Sequence, residues 1–455
     1  SVAIVGGGLA GLSVAYHLVG GRSSRTEGKR RRRVSVFDRC PVGEGGASSV
    51  AGGLIHPFSP RGKLIHLGLE SLTAAAGLID AASSVRPDCL VRRRLYRLAT
   101  EEKHVAQLTK TAEGHPDLAR WMTPDEVRTA LGVEGSAGGL ELGNGCGVVH
   151  VPTYLRGLWG ACIARAEENG WDATWTVTSN YTASLSDADL SNYDAVVLAA
   201  GSGLVKDGIL TGGDDGGSPR IPAQLVRGQS VELSHDPSGI SPPGEALLCG
   251  KYIAPIPDES GSGRPSFVVG ATHEYDDGAM TRDEVAAEMR SRTEGFAPPS
   301  LLEGRRIDRI TGGGCRVQSI RGRFGRMPMV GRLDRNDGET GLSSAIAHDN
   351  LWLFTGLSRQ GTHLPRSVRE DARRGDRGGR RGRDPEGVRR VRLVEERCQE
   401  GREGREAIEN LELVICHKHM YRDGYICPAP AFAPSGHSIL MREPPEIHIG
   451  STADA

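Results

Sequence analysis

A glycine-rich turn near the start of the chain is the residue pattern best suited to bind a ligand. A short apolar strand, Val2–Val5, runs directly into Gly6, Gly8 and Gly11, and an amphipathic helix follows. Gly6 would permit a tight turn, Gly8 a close approach of backbone to phosphates, and Gly11 close packing of helix on strand. The N-terminus of the helix adds N–H groups and its positive dipole end. This spacing predicts a dinucleotide pyrophosphate site.

A second strand supplies the acidic residue that such a site uses. The apolar run Val34–Phe37 ends in Asp38, which can accept hydrogen bonds from ribose hydroxyls. The usual separation from the glycine turn is about 20 residues. Here it is longer, because a polar loop at 22–33 ends in four consecutive arginines. We interpret this loop as a solvated excursion between helix and strand.

Composition limits the class of protein. The chain has 455 residues, of which 38% are hydrophobic and 25% charged, and its net charge is −1. This length predicts two or three globular domains, and the charge gives no overall attraction to nucleic acid or membrane. No apolar run of transmembrane length occurs, so we expect no membrane-spanning helix.

The cysteines and the first residue bear on location. The nine cysteines form no C-x-x-C pair, which favours a reducing compartment without a disulfide framework. We therefore expect an intracellular protein, in the cytoplasm or in an organelle such as a plastid or mitochondrion. Residue 1 is Ser and the first strand begins at once, so any targeting peptide would lie upstream.

Strands and helices alternate before Pro365, which indicates an α/β fold. A helical block is predicted from Leu67 to Leu131, with a capping box that starts at Thr123. The run Asp194–Gly201 has the pattern of a buried parallel strand. Alternating patterns then predict a largely antiparallel sheet, interrupted by one helix. Its predicted strands are Leu225–Leu233, Leu247–Ala254, Phe267–Thr272 and Arg306–Ile310, and the helix is Arg282–Arg292.

The segment Arg366–Arg405 has a different character, with 14 arginines and no lysine. It lacks the apolar periodicity that a core requires, so we expect disorder or loose helix. Three interpretations remain open: a solvated tail, an RNA-binding arm, or an aberrant stretch from a mis-spliced or frame-shifted gene model. The cluster Cys416–Cys427 does not have the spacing of a zinc finger, and we predict no metal site.

Four further segments place glycines among small or apolar residues at strand ends. They are Gly45–Gly53, Ala199–Ser202, Gly325–Gly331 and Leu353–Gly361. Together with the first glycine turn and Asp38, this set resembles the D-amino-acid-oxidase-like family of FAD-dependent oxidoreductases over residues 1–361. The resemblance implies FAD as cofactor and a Rossmann-like FAD-binding domain interleaved with an α+β substrate domain of largely antiparallel sheet, followed by a disordered or irregular C-terminal tail.

The resemblance also implies domain boundaries. The FAD-binding domain would comprise 1–85, 147–220 and 306–365. The substrate domain would comprise a helical part at 86–146 and a sheet at 221–305, and the irregular tail would be 366–455.

Residue roles follow from the same resemblance. The implied cofactor-binding residues are Gly6, Gly8, Leu9, Ala10, Gly11, Asp38, Arg39, Ala47, Ser48, Gly52, Gly53, Leu54, Ala200, Gly201, Gly356, Leu357 and Gly361. Arg316 matches the position of a carboxylate-binding arginine, and Arg61 and His56 are further candidates for the substrate pocket. Cys315 is interpreted as a buried core residue, although some relatives tether their flavin through a cysteine nearby. No catalytic residue is assigned.

Three functions remain open at this point. The first is an FAD-dependent oxidoreductase that oxidises the C–N bond of an amine or amino acid by hydride transfer. The second follows from Gly52–Pro57, which resembles the flavin domain of a bacterial enzyme that modifies wobble uridine in tRNA; tRNA would then be a partner. The third is an RNA-binding protein built on a degenerate flavin fold.

The sequence departs from the family after its last glycine motif. Family members continue into a helix whose N-terminus approaches the flavin, whereas here Gly361 is followed by Thr362–Pro365 and the arginine-rich segment. The apolar face of that helix is missing, which favours the frame-shift interpretation. A transcript read across this junction tests it, and a continuous supported reading frame would count against it.

Overall fold

The structure is a computed structural model of the chain. It describes residues 1–21, 32–65, 68–179, 190–210, 221–233, 244–257, 266–275, 278–293, 296, 307–312, 314–320, 328–333 and 348–357. Gly361 and the predictions for the arginine-rich segment and the Cys416–Cys427 cluster lie outside these residues.

A six-stranded sheet carries the glycine turn. Its strand order is β18-β19-β10-β1-β2-β9, and β18 is antiparallel to its neighbour while the other pairs are parallel. The strands are β1 (Val2–Val5), β2 (Arg32–Asp38), β9 (Trp171–Val177), β10 (Ala195–Leu198), β18 (Met329–Leu333) and β19 (Leu351–Thr355). Every residue of β1, β10 and β19 is buried, as expected for a parallel sheet covered on both faces.

Three helices pack together beside this sheet. They are α1 (Leu9–Leu18), α2 (Gly68–Val85) and α5 (Val151–Asn169). α5 contacts both α1 and α2. Gly157 allows the close crossing of α5 and α2, because a Cβ atom there would lie 2.5 Å from the Ala82 carbonyl oxygen.

A second sheet has eight strands, in the order β16-β12-β15-β14-β13-β5-β7-β6. Its pairs are antiparallel except β13 with β5. The strands are β5 (Leu95–Leu98), β6 (Ala119–Met122), β7 (Gly139–Leu142), β12 (Ser230–Leu233), β13 (Leu247–Cys249), β14 (Lys251–Ile256), β15 (Ser266–Gly270) and β16 (Ile307–Ile310). The helices α3 (Glu102–Gly114), α4 (Pro124–Leu131) and α7 (Arg282–Thr293) accompany it, and a short α6 (Gly203–Lys206) follows β10.

Two small sheets complete the described fold. β3 (Leu54–Ile55), β8 (Gly147–Val149) and β4 (Leu90–Arg92) form one, and β11 (Ala223–Gly228) with β17 (Gly314–Ser319) forms the other. The chain enters and leaves the six-stranded sheet several times, so the predicted interleaved α/β architecture is confirmed. The exact domain boundaries stay predictions.

Three details of the predicted elements are wrong. The predicted single strand Leu247–Ala254 is a hairpin of β13 and β14 that turns at Gly250, where φ is +70°. The segment predicted as helical between Leu67 and Leu131 contains β4, β5 and β6, because residues such as Leu95 bury their side chains in sheet cores. The predicted single strand Leu225–Leu233 is two strands in different sheets, separated at Gln229, whose N–H donates to Thr272 Oγ1 at 2.7 Å. The capping box at Thr123 is confirmed.

The described residues show no helix that is both long and apolar enough to cross a membrane. The described cysteines are all free thiols.

Candidate cofactor and substrate site

A cavity of about 750 Å³ lies where the two large sheets meet. On one side it is lined by residues that directly follow β1, β2, β10 and β19, such as Gly6 and Gly356. Ligands of open α/β sheets bind at the carboxyl ends of parallel strands. On the other side it is lined by Arg97 and Tyr252 of the eight-stranded sheet. The volume falls within the range of roughly 300–1,000 Å³ typical of ligand sites.

The structure brings most of the predicted cofactor residues to this cavity. Those that line it are Gly6, Gly8, Leu9, Ala10, Asp38, Arg39, Ala47, Ser48, Gly52, Gly53, Leu54, Ala200, Gly201, Gly356 and Leu357. Gly11 does not line the cavity. It lies under the turn, where a Cβ atom would be 1.8 Å from the Gly6 carbonyl oxygen. This is the close helix–strand packing that the third glycine of the motif provides.

Glycine backbones form the floor of the cavity. Gly6 has a φ of +100°, and a Cβ atom there would lie 2.4 Å from Ala200 Cα. Gly53 has a φ of +67°, and a Cβ atom there would lie 1.7 Å from the Val149 carbonyl oxygen. Side chains are excluded at both positions, so the backbone itself faces the ligand space.

Asp38 holds the shape of the glycine turn. Its Oδ2 accepts a hydrogen bond from the Gly7 N–H at 2.6 Å, and its Oδ1 accepts one from the Cys40 N–H at 3.0 Å. The carboxylate therefore sits at the end of β2 against the turn, on the cavity wall. This is the position from which an acidic residue can also accept ribose hydroxyls.

The N-terminus of α1 is suited to an anion. Gly8 is its N-cap and makes no side-chain cap hydrogen bond, and the first turn carries no acidic residue. The Leu9 N–H donates to Ser48 Oγ at 3.2 Å, which joins the helix start to the Gly45–Gly53 segment. The helix dipole and the N–H groups of this turn favour negative charge, as a pyrophosphate requires.

The buried hydroxyl of Thr355 also bears on whether the cavity suits FAD. Thr355 is the last residue of β19, lines the cavity and is 3% exposed, yet its Oγ1 makes no hydrogen bond to any residue that the structure describes. Buried polar atoms normally have partners. FAD carries ribityl and ribose hydroxyls, phosphates and ring heteroatoms, which could satisfy this hydroxyl. The backbone N–H groups of the glycine turn and of the α1 N-terminus can donate to the phosphates of FAD, and Thr355 Oγ1 can hydrogen-bond another of its polar atoms. The residues present therefore fit FAD.

We expect Thr355→Val to lower the affinity for FAD without destabilising the apoprotein. The apoprotein should keep or slightly raise its unfolding midpoint, because a buried unsatisfied hydroxyl is replaced by a group of similar shape. FAD affinity should fall by roughly 3- to 10-fold, the equivalent of one hydrogen bond of about 1 kcal/mol. Thermal unfolding and FAD titration measure the two effects. Unchanged FAD affinity would show that Thr355 does not contact the cofactor.

The substrate candidates occupy different places. Arg316 lies on β17 and lines the cavity, where its Nη2 is 2.9 Å from Nδ1 of His273. His56 follows β3 and also lines the cavity. Arg61 does not line it. The turn Ser59–Lys63 is closed by backbone hydrogen bonds and carries Arg61 on the exposed surface, so the structure does not support the predicted role of Arg61.

Several lining residues are not evident from the sequence. Arg97 and Tyr252 lie within strands of the eight-stranded sheet whose successive residues are buried on both faces, so no alternation in the sequence identifies them as cavity residues. Cys315 is 7% exposed and lines the cavity, and its Sγ accepts a hydrogen bond from Lys206 Nζ at 3.4 Å. The described residues contain no cluster of His, Cys, Asp or Glu able to hold a metal ion.

Comparison with known proteins gives a consistent result. The family described as "DAO: FAD dependent oxidoreductase" matches residues 1–364. Glycine oxidase from Geobacillus kaustophilus is 28% identical over 46% of this chain, and the match spans only 57% of that protein's length.

Solved structures agree on the fold. Glycine oxidase from Geobacillus kaustophilus aligns with a TM-score of 0.54 at 21% identity, covering 78% of this chain and 88% of the other. Iminodiacetate oxidase from a Chelativorans species aligns with a TM-score of 0.55 at 18% identity, covering 79% and 90%. At these identities the structural likeness shows the fold alone.

Proposed function

Because this chain belongs to the DAO family of FAD-dependent oxidoreductases, we propose that it oxidises the C–N bond of a small amino acid or related amine. The observation that carries the proposal is Arg316, a guanidinium on β17 that lines the same cavity as the glycine turn. A guanidinium is the group best suited to hold a carboxylate in a fixed orientation, because it can donate two parallel hydrogen bonds.

Different residues of the cavity would bind FAD and the substrate. The glycine turn, Asp38 and the α1 N-terminus would hold the nucleotide part of FAD, and Gly52–Leu54 with Gly356 and Leu357 would line the remainder. FAD supplies the hydride acceptor for a C–H bond beside an amine nitrogen. Arg316 would orient the substrate carboxylate, so that its α-carbon has a defined position in the cavity.

The surroundings also favour the reactive form of an amine. Hydride loss requires a neutral amine nitrogen, and a poorly solvated site lowers the pKa of an ammonium group. The cavity wall includes apolar and aromatic side chains such as Tyr252, Val317 and Phe354, which limit solvation. The names of two proteins that this chain resembles, glycine oxidase and iminodiacetate oxidase, refer to small amino carboxylates.

Anaerobic reduction of the bound flavin tests this proposal. We expect sarcosine or glycine to bleach the flavin absorbance of the purified protein, and simple amines without a carboxylate to do so much more slowly. Bleaching that is equally fast without the carboxylate would contradict the role of Arg316. Activity on modified tRNA but not on free amines would favour the tRNA-modifying alternative instead.

A further inference from the structure

The indole of Trp175 lies directly against the glycine turn. Trp175 belongs to β9, where it pairs with Val36 of β2. A Cβ atom added to Gly7 would lie 2.0 Å from Cη2 of the indole and 2.5 Å from its Cζ3. Gly7 lines the cavity, whereas Trp175 does not. The indole therefore fills the space of a side chain at residue 7 without lining the ligand space itself.

The backbone conformation of residue 7 does not by itself require glycine. Gly6 has a φ of +100°, whereas Gly7 is not among the described glycines with a positive φ. Residues with a Cβ atom readily adopt negative φ. The dinucleotide motif also leaves the residue between its first two glycines open. The glycine at residue 7 is thus explained by the lack of space beside Trp175.

Contacts with two other parts of the fold hold the indole in place. Its Nε1 donates to the Cys40 carbonyl oxygen at 3.2 Å. Its ring packs edge-on against Trp159 of α5, with 5.5 Å between the ring centroids. If residue 7 gained a side chain, the indole could move aside only by losing these contacts, so the turn would have to move as well.

Asp38 binds the same two residues that the indole supports. Its Oδ2 accepts a hydrogen bond from the Gly7 N–H at 2.6 Å, and its Oδ1 accepts one from the Cys40 N–H at 3.0 Å. Trp175 lies against Gly7 and donates to Cys40. Gly8, the N-cap of α1, follows Gly7 directly. A shift of Gly7 would therefore displace the N–H groups that a pyrophosphate needs.

We propose that Trp175 is a positioning residue for the pyrophosphate of FAD, and that residue 7 is glycine because the indole occupies the space of its side chain. Trp175 acts through Gly7 and Cys40 and does not touch the cofactor. The inference concerns cofactor binding and does not depend on which substrate is oxidised. It predicts that substitutions at residues 7 and 175 are coupled, because each determines how much space the other has.

A double-mutant cycle of Gly7→Ala and Trp175→Leu tests this coupling, with the dissociation constant of FAD measured by fluorescence titration of the apoprotein. Gly7→Ala alone should weaken FAD binding by at least about fivefold, because the added methyl group overpacks the turn. Trp175→Leu alone should weaken it by roughly 2- to 10-fold, since the turn loses its support and the Cys40 carbonyl its donor. In the Trp175→Leu background, Gly7→Ala should change the affinity by less than about twofold.

ADP distinguishes an effect on the pyrophosphate site from an effect elsewhere in the cavity. ADP carries the same pyrophosphate as FAD but no flavin, so its affinity should fall by the same factor as that of FAD in each single variant. Competition with FAD measures it, and circular dichroism establishes that each apoprotein is folded at the temperature of the titration. If Trp175→Leu does not fold, Trp175→Phe takes its place in the cycle, because its smaller ring lacks the indole edge that lies nearest to Gly7.

Trp121→Leu is the matched control for the loss of a tryptophan. Trp121 lies on β6 of the eight-stranded sheet, packs beside Gly138 and does not line the cavity. Its replacement should lower the unfolding midpoint and leave the affinities for FAD and ADP unchanged.

Three results would overturn the inference: unchanged FAD affinity in Gly7→Ala, an equal loss from Gly7→Ala with and without Trp175, or a loss for FAD without one for ADP. None of these measurements involves turnover. Failure of the proposed amine oxidation would therefore leave them unaffected, and their failure would leave the proposed reaction standing.

Discussion

Gly6→Ala should lower FAD affinity by at least about 30-fold, corresponding to roughly 2 kcal/mol. Gly6 has a φ of +100°, a conformation that is unfavourable for residues with a Cβ atom. A Cβ atom there would also lie 2.4 Å from Ala200 Cα and 2.7 Å from the carbonyl carbon of Ala199, which are backbone atoms and cannot rotate away. The turn must therefore move away from β10, and the N-terminus of α1 would move with it.

The measurement is FAD dissociation by fluorescence titration, with thermal unfolding of the apoprotein beside it. Gly77→Ala is the matched control, since Gly77 lies mid-way along α2, is exposed and would have no atom within 4 Å of its Cβ atom. It should keep FAD affinity and stabilise the fold by roughly 0.5–1 kcal/mol. If Gly6→Ala binds FAD as tightly as the unmodified protein, the glycine turn is not the pyrophosphate site.

Arg316→Gln should lower kcat/KM for a carboxylate-bearing amine by about 10²- to 10³-fold. The loss follows from removing a charged, two-pronged donor from the cavity wall, while glutamine keeps some polarity but no charge. Much of the effect should appear in KM, because a carboxylate is held similarly in the bound substrate and in the transition state. Arg316→Lys should recover only part of the activity, since an ammonium cannot form the paired hydrogen bonds.

Steady-state kinetics on protein with full flavin content provides the measurement. Arg309→Gln is the control: it removes an exposed guanidinium on β16 that pairs with Glu232 and does not line the cavity. Such surface pairs contribute about 0–1 kcal/mol to stability and should not affect kcat/KM. If Arg316→Gln and Arg309→Gln have equal kcat/KM, Arg316 does not bind the substrate.

Many of the cofactor-binding residues can be predicted from the sequence, because their geometry depends mainly on residues that are close along the chain. Gly6, Gly8 and Gly11 are read from one short segment, and each role depends on backbone that lies within a few residues. Asp38 could be placed because a buried strand ends immediately before it. The central strands β1, β10 and β19 are short, buried and apolar, so their patterns are distinct, and β10 lies within the predicted strand Asp194–Gly201.

The substrate half depends on contacts that are distant along the chain. Arg97 meets His56 across 41 residues and Arg316 meets His273 across 43. No periodicity reveals such pairs, since they arise from the way β5 and β17 are brought to one cavity. Arg61 shows that closeness along the chain is also not sufficient. It follows the segment Gly45–Gly53 closely in sequence, but the turn Ser59–Lys63 carries it to the surface. The prediction of a helical block from Leu67 to Leu131 is wrong for the same reason, because β4 pairs within the three-stranded sheet, and β5 and β6 within the eight-stranded sheet, with strands outside this segment.

The visible absorbance spectrum of the purified protein, recorded before and after anaerobic addition of an amino carboxylate, tests directly whether the cavity holds a reducible flavin. We expect the absorption bands of bound flavin, restored by added FAD if the cofactor is lost in purification, and we expect sarcosine or glycine to bleach them. A colourless protein that takes up no added FAD would show that this cavity does not hold a flavin.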